Sequence, residues 1–141
     1  MHVVQISIFL ENKVGRLAEV TKTLFNAGIN IKSLALADTS EFGILRLIIG
    51  NPDNAQDVLK KAGFTVGTTD VVAVEVPHAP GGLNSIVDMM GAAGVNIEYM
   101  YGFPSKSDNA VLIFRFDNLE KALVALKASD LRILSPAEVY C

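Results

Sequence analysis

The sequence predicts an α+β chain made of two tandem βαββαβ modules. Three observations predict it. First, the chain repeats itself: Gly15 and Gly81, Leu17 and Leu83, Gly28 and Gly94, and Asn30 and Asn96 are each 66 positions apart. One constant offset across such distinctive residues is the mark of a duplicated unit. Second, apolar residues recur with period two and then with helical spacing, in the same order in both copies. Third, half of the 141 residues are apolar, which suits a packed core rather than a disordered chain.

The first copy opens with a strand over Val3 to Leu10, where Val4, Ile6, Ile8 and Leu10 alternate with Gln5, Ser7 and Phe9. In the second copy Val71 to Val76 plays this part, with Val72, Val74 and Val76 on the buried face. A helix follows. Leu17, Val20, Thr21, Leu24 and Phe25 keep the i, i+3, i+4, i+7, i+8 spacing of one face, as do Leu83, Ile86, Val87 and Met90. Gly28 and Gly94 stand where a helix stop takes a left-handed residue. Second strands run from Asn30 to Ala37 and from Asn96 to Tyr101. Third strands run from Gly43 to Ile49 and from Ala110 to Phe116.

The second helix of copy one starts with Asn51-Pro52, a capping side chain before a first-turn proline. In copy two, Asp117 and Glu120 have capping-box spacing. The apolar stripes are Ala55, Val58, Leu59 and Ala62, and Leu119, Ala122, Leu123 and Leu126. Short fourth strands near Phe64 to Thr68 and Leu131 to Leu134 close the units, and Phe64 to Val76 can run as one extended path. This is the ferredoxin-like order: four antiparallel strands, two helices on one face, the other face partly bare. The expected modules are residues 1–69 and 70–141. Each is small enough that pairing of the units, or of two chains, is expected.

Several functions are disfavoured. Net charge is −3 with no basic cluster, so a phosphate backbone finds no complementary face and nucleic-acid binding is not expected. Apolar runs fall far short of the roughly 20 residues of a membrane helix. Met1-His2-Val3-Val4 does not read as a secretion signal. Cys141 is the single cysteine, so no internal disulfide forms, and a reducing cytoplasm fits. His2 and His78 are the two histidines, and no nucleophile motif or Cys/His metal spacing occurs. Neither an enzyme nor a cofactor or metal site is expected. Tyr99 and Tyr101 share a strand face, but lacking matching aromatics on other strands they suit packing better than base stacking.

Candidate chemistry lies between the first strand and first helix of each copy: Asn12-Lys13-Val14-Gly15-Arg16-Leu17, and His78-Ala79-Pro80-Gly81-Gly82-Leu83. Glycine permits close approach of a ligand to the main chain. First-turn amides lack internal partners and sit at the positive end of the helix dipole, which suits a carboxylate. Asn12 offers a donor and an acceptor, and Asn30 starts the next strand, near enough to converge. Taken singly, each glycine or asparagine is better explained as turn chemistry; the duplicated combination shifts the balance toward a site.

These residues resemble the ACT domains, regulatory modules of amino-acid metabolism. Their loop reads Asp or Asn, any residue, Pro, Gly, any residue, Leu, followed later by Gly-Val/Ile-Asn-Ile. Pro80-Gly81-Gly82-Leu83 with Gly94-Val95-Asn96-Ile97 matches. Asn12 to Leu17 with Gly28-Ile29-Asn30-Ile31 matches with Val14 in place of proline, and the two copies span essentially the whole chain. The resemblance implies a free amino acid bound between paired modules. Asn12, Val14, Gly15, Arg16 and Leu17 would form one half-site, completed by Asn30 or Asn96; His78, Pro80, Gly81, Gly82 and Leu83 would form the other. His78 departs from the family's Asp or Asn, which leaves the second site in question. The resemblance further implies a non-catalytic, allosteric sensor, a homodimer, acting in trans on a metabolic enzyme. The alternative is a regulatory small subunit of an amino-acid biosynthetic enzyme, like that of acetolactate synthase, with little ligand binding of its own.

Overall fold

The computed structural model describes residues 2–38 and 41–141. In chain order the elements are β1 (Val3–Glu11), α1 (Arg16–Asn26), β2 (Ile31–Asp38), β3 (Phe42–Ile49), α2 (Pro52–Lys61) and β4 (Thr65–Val76). Then follow α3 (Gly82–Ala92), β5 (Ile97–Phe103), β6 (Ala110–Phe116), α4 (Leu119–Lys127), β7 (Arg132–Ile133) and α5 (Pro136–Tyr140). The predicted order holds in both copies. The extended path from copy one into copy two is the single twelve-residue strand β4.

Two compact units result: Val4–Thr69 with Tyr140 and Cys141, and Asp70–Val139 with His2 and Val3. In the first, strands run β2-β3-β1 with β4 beyond β1. In the second the order is β7-β4-β6-β5. β1 pairs antiparallel with β3, Ile8 opposite Leu45, and β4 antiparallel with β6, Val74 opposite Leu112. Short α5 was not expected from the sequence. Its last residue, Tyr140, belongs to the first unit, where its hydroxyl accepts the Val4 N–H at 2.7 Å.

Each unit has its own core. In the first, Val20 and Leu24 of α1 and Ala55 and Leu59 of α2 pack on Ile6, Ile8, Leu10, Leu45, Leu47 and Ile49. In the second, Ile86 and Met90 of α3 and Ala122 and Leu126 of α4 pack on Val72, Val74, Val76, Phe114 and Phe116. Each of the four longer helices buries a single row of residues spaced i, i+4, two in α1, α2 and α4 and three in α3, so the inward stripe is narrower than the sequence pattern predicts. Leu17, Leu83 and Val87 are only partly covered and Phe25 is 80% exposed. Phe25 lies about 100° round the helix from Leu24, on the flank beyond the sheet.

Three other expectations are corrected. Alternation in β1 fails at its start: Val3 and the polar Gln5 are fully buried, while Val4 is only half so. The second unit's other sheet face is not bare. Ala73 and Ile113, which pair directly, are both fully buried, and the continuous apolar run Val71 to Val74 is that of a strand covered on both faces. The cap of α4 is Asn118, whose side chain accepts the Lys121 N–H at 3.1 Å. Asp117 instead accepts the Asn96 N–H at 2.9 Å and ties the start of β5 to the end of β6. The Asn51 cap of α2 holds as expected, accepting from Asn54.

Candidate functional site

The loop after β1 is built by main-chain bonds. Asn12 N–H reaches the Glu41 carbonyl at 2.8 Å, and Lys13 N–H turns back to the Glu11 carbonyl at 2.9 Å. Gly15 then caps α1 in the left-handed region, φ 91°, with no side-chain cap. A side chain there is strained by the backbone alone. The Gly15 carbonyl accepts the Glu19 N–H at 3.1 Å, which opens the helix.

Beside this turn lies a cavity of about 190 Å³. Leu10, Leu17, Leu36 and Gly43 supply an apolar wall, and Glu11, Asn12, Lys13 and Arg16 a polar one. The charges are interlocked. Lys13 Nζ is 3.1 Å from Glu11 Oε2; the Arg16 guanidinium is 2.7 Å from Glu19 Oε2 and 3.6 Å from Glu11 Oε1. The Lys13 hydrogen bond and charge, helped by Arg16, hold the Glu11 carboxyl below its ordinary value of 4.5. Arg16 Nε is buried with no hydrogen-bond partner among the described residues.

Of the residues expected from the sequence, Asn12, Arg16 and Leu17 line the cavity, and Gly15 shapes it. Val14 projects fully into solvent. Asn30 is exposed just before β2 and is not part of the lining. Lys13 belongs to the candidate loop, though without an assigned role; Leu10, Glu11, Leu36 and Gly43 were missed as wall residues. The hairpin register carries that information, since Leu10 pairs with Gly43 and Leu36 with Leu45.

The second loop has the same turn with different chemistry. Gly81 caps α3 at φ 89° and its carbonyl accepts the Ser85 N–H at 3.0 Å. Gly82 donates to the Ala79 carbonyl at 3.0 Å and is buried. A Cβ on Gly82 would lie 2.0 Å from the Pro77 carbonyl oxygen. His78 and Pro80 are exposed, Leu83 is 44% exposed, and Asn96 is held through its main chain by Asp117. Among the described residues no group of three His, Cys, Asp or Glu could hold a metal ion. No helix among them is long and apolar enough to cross a membrane.

A family model described as the ACT domain pair matches residues 1–138. The chain belongs to the ACT domain family. ACT pairs are a regulatory type of module. This one is similar to protein BT0572 from Bacteroides thetaiotaomicron, at 41% identity over 99% of this chain and 96% of that one, with a TM-score of 0.93. It also resembles the regulatory subunits of aspartate kinase from Thermus thermophilus and Thermus flavus. The former is 21% identical over 90% of this chain and 89% of that one, the latter 17% over 89% and 90%, each with a TM-score of 0.62. At those identities the likeness is one of fold. None of the curated proteins compared matches the chain.

Proposed function

We propose that this ACT pair is a non-catalytic, cytoplasmic amino-acid sensor that binds a free amino acid at the loop from Asn12 to Leu17. The observation that carries this reading is the cavity beside Gly15, which sets both signs of charge against a leucine wall. A zwitterion needs that combination. Its carboxylate is suited to the Arg16 guanidinium and the first-turn amides of α1. Its ammonium is suited to Glu11 and Asn12, and its side chain to Leu10, Leu17 and Leu36. A second copy of the chain closes the cavity, with Asn30 or Asn96 of a neighbouring module as the completing group. Ligand then stabilises one dimer arrangement, which a metabolic enzyme reads in trans.

A second reading also has an observation behind it. On the sheet face of the first unit away from its core, Phe9 and Phe42 stack at 4.9 Å beside Ile44, and all three are at least a third exposed. Such a patch suits a regulatory small subunit docked on an enzyme, with little ligand binding of its own. A thermal-shift screen against the twenty amino acids at millimolar concentration separates the two. Ligand at 100 times its dissociation constant stabilises by about 2.7 kcal/mol, or roughly 6–10 °C at this size. A selective shift is the expected result. The absence of any shift would favour the docked subunit.

A further inference from the structure

We infer that only the first of the two loops holds a ligand, one per chain, and that this ligand is an amino acid with an uncharged aliphatic side chain. The inference rests on the sensor reading and narrows it.

The two loops share a backbone turn but not a binding surface. At the 66-residue offset, Glu11, Lys13 and Arg16 fall on Pro77, Ala79 and Gly82. Every charged group that lines the first cavity is therefore missing from the second loop. Leu36, part of the apolar wall, falls on Gly102. Space differs as well as charge. In the first loop the Arg16 side chain extends from the helix start to meet Glu11 and Glu19. In the second loop even a methyl group at Gly82 would collide with the Pro77 carbonyl. The start of α3 is packed onto the end of β4 where the first loop presents its guanidinium. Gly81-Gly82 is thus explained by chain packing, and the first loop by packing plus a surplus of polar groups.

The charge around the first cavity selects the ligand. Glu11 and Glu19 oppose Lys13 and Arg16, so the set is electrically balanced. A zwitterion with a neutral side chain keeps that balance. An acidic or basic side chain adds one partly desolvated charge without a partner. Leu10, Leu17 and Leu36 favour an aliphatic side chain. The cavity volume is below the roughly 300–1,000 Å³ of pockets for drug-sized ligands, which suits a single amino acid.

Isothermal titration calorimetry on the full chain tests this with L-leucine, L-isoleucine, L-valine, L-aspartate and L-lysine. At least one aliphatic amino acid should saturate at one per chain, with aspartate and lysine bound about tenfold more weakly or worse. Arg16→Gln should weaken the aliphatic ligand by about tenfold or more. Glu11→Gln serves as the second variant if Arg16→Gln lowers the melting midpoint. Ala79→Glu, an exposed change in the second loop, should leave affinity within about twofold. Saturation at two per chain overturns the inference but not the sensor reading. So does equal binding of aspartate or lysine, or a loss with Ala79→Glu as large as with Arg16→Gln. Silence from all five here, with no shift from any of the twenty amino acids in the thermal screen, overturns both.

Discussion

A methyl group added at Gly15 would meet open space, whereas one added at Gly82 would lie 2.0 Å from the Pro77 carbonyl oxygen. The first glycine is required by its φ of 91°, the second by its neighbour. Gly15→Ala should therefore cost about 1–2 kcal/mol, the price of a left-handed alanine. Gly82→Ala should cost more, about 3 kcal/mol, because backbone has to move. Urea unfolding of the two variants checks this; a cheaper Gly82→Ala would mean that the helix start is not packed as described. From sequence, both loops were legible as glycine turns before a helix, since turn chemistry is local. The different reasons for their glycines were not legible, because a one-letter record of glycine does not say what stands opposite it. Nor was the Glu11, Lys13 and Arg16 lock, whose geometry depends on where β1 ends and α1 begins.

The elements were the most legible level. Period two and period 3.6 put all four long helices where the sequence suggested, and all seven strands as well, β7 falling within the expected Leu131 to Leu134. One feature escaped: α5 is five residues long, too short for any periodicity to register. Burial was over-read on the helices. Sequence apolarity marks Leu17, Thr21 and Phe25 as inward, but a helix lying on a sheet buries only the residues directly beneath it, here Val20 and Leu24. Cap assignment failed by one residue at α4, since Asp117 and Asn118 are both capping types and only the structure separates them. Asp117 serves the Asn96 N–H, and Asn118 serves Lys121. Asn118→Ala should destabilise by about 0.5–2 kcal/mol through the lost cap, read as a lower midpoint in chemical denaturation with an unchanged slope. An unaffected midpoint would mean that the cap contributes nothing in solution.

At the scale of the whole molecule the duplicated sequence predicts the duplicated fold, because glycine and core positions recur at one offset. Loop chemistry does not follow the duplication. Gly15 recurs as Gly81, Gly28 as Gly94 and Leu17 as Leu83, while Glu11, Lys13, Arg16 and Leu36 have no counterpart in the second copy. With two similar turns and one chemically equipped cavity, this ACT pair is proposed to sense at one site per chain. The most direct test maps backbone amide chemical shifts while L-leucine is titrated into the full chain. Saturable shifts are expected, clustered at residues 10–17 and 36, with residues 78–83 little changed. Shifts centred on residues 78–83, or none at residues 10–17 under saturating ligand, would show that the first loop is not the binding site.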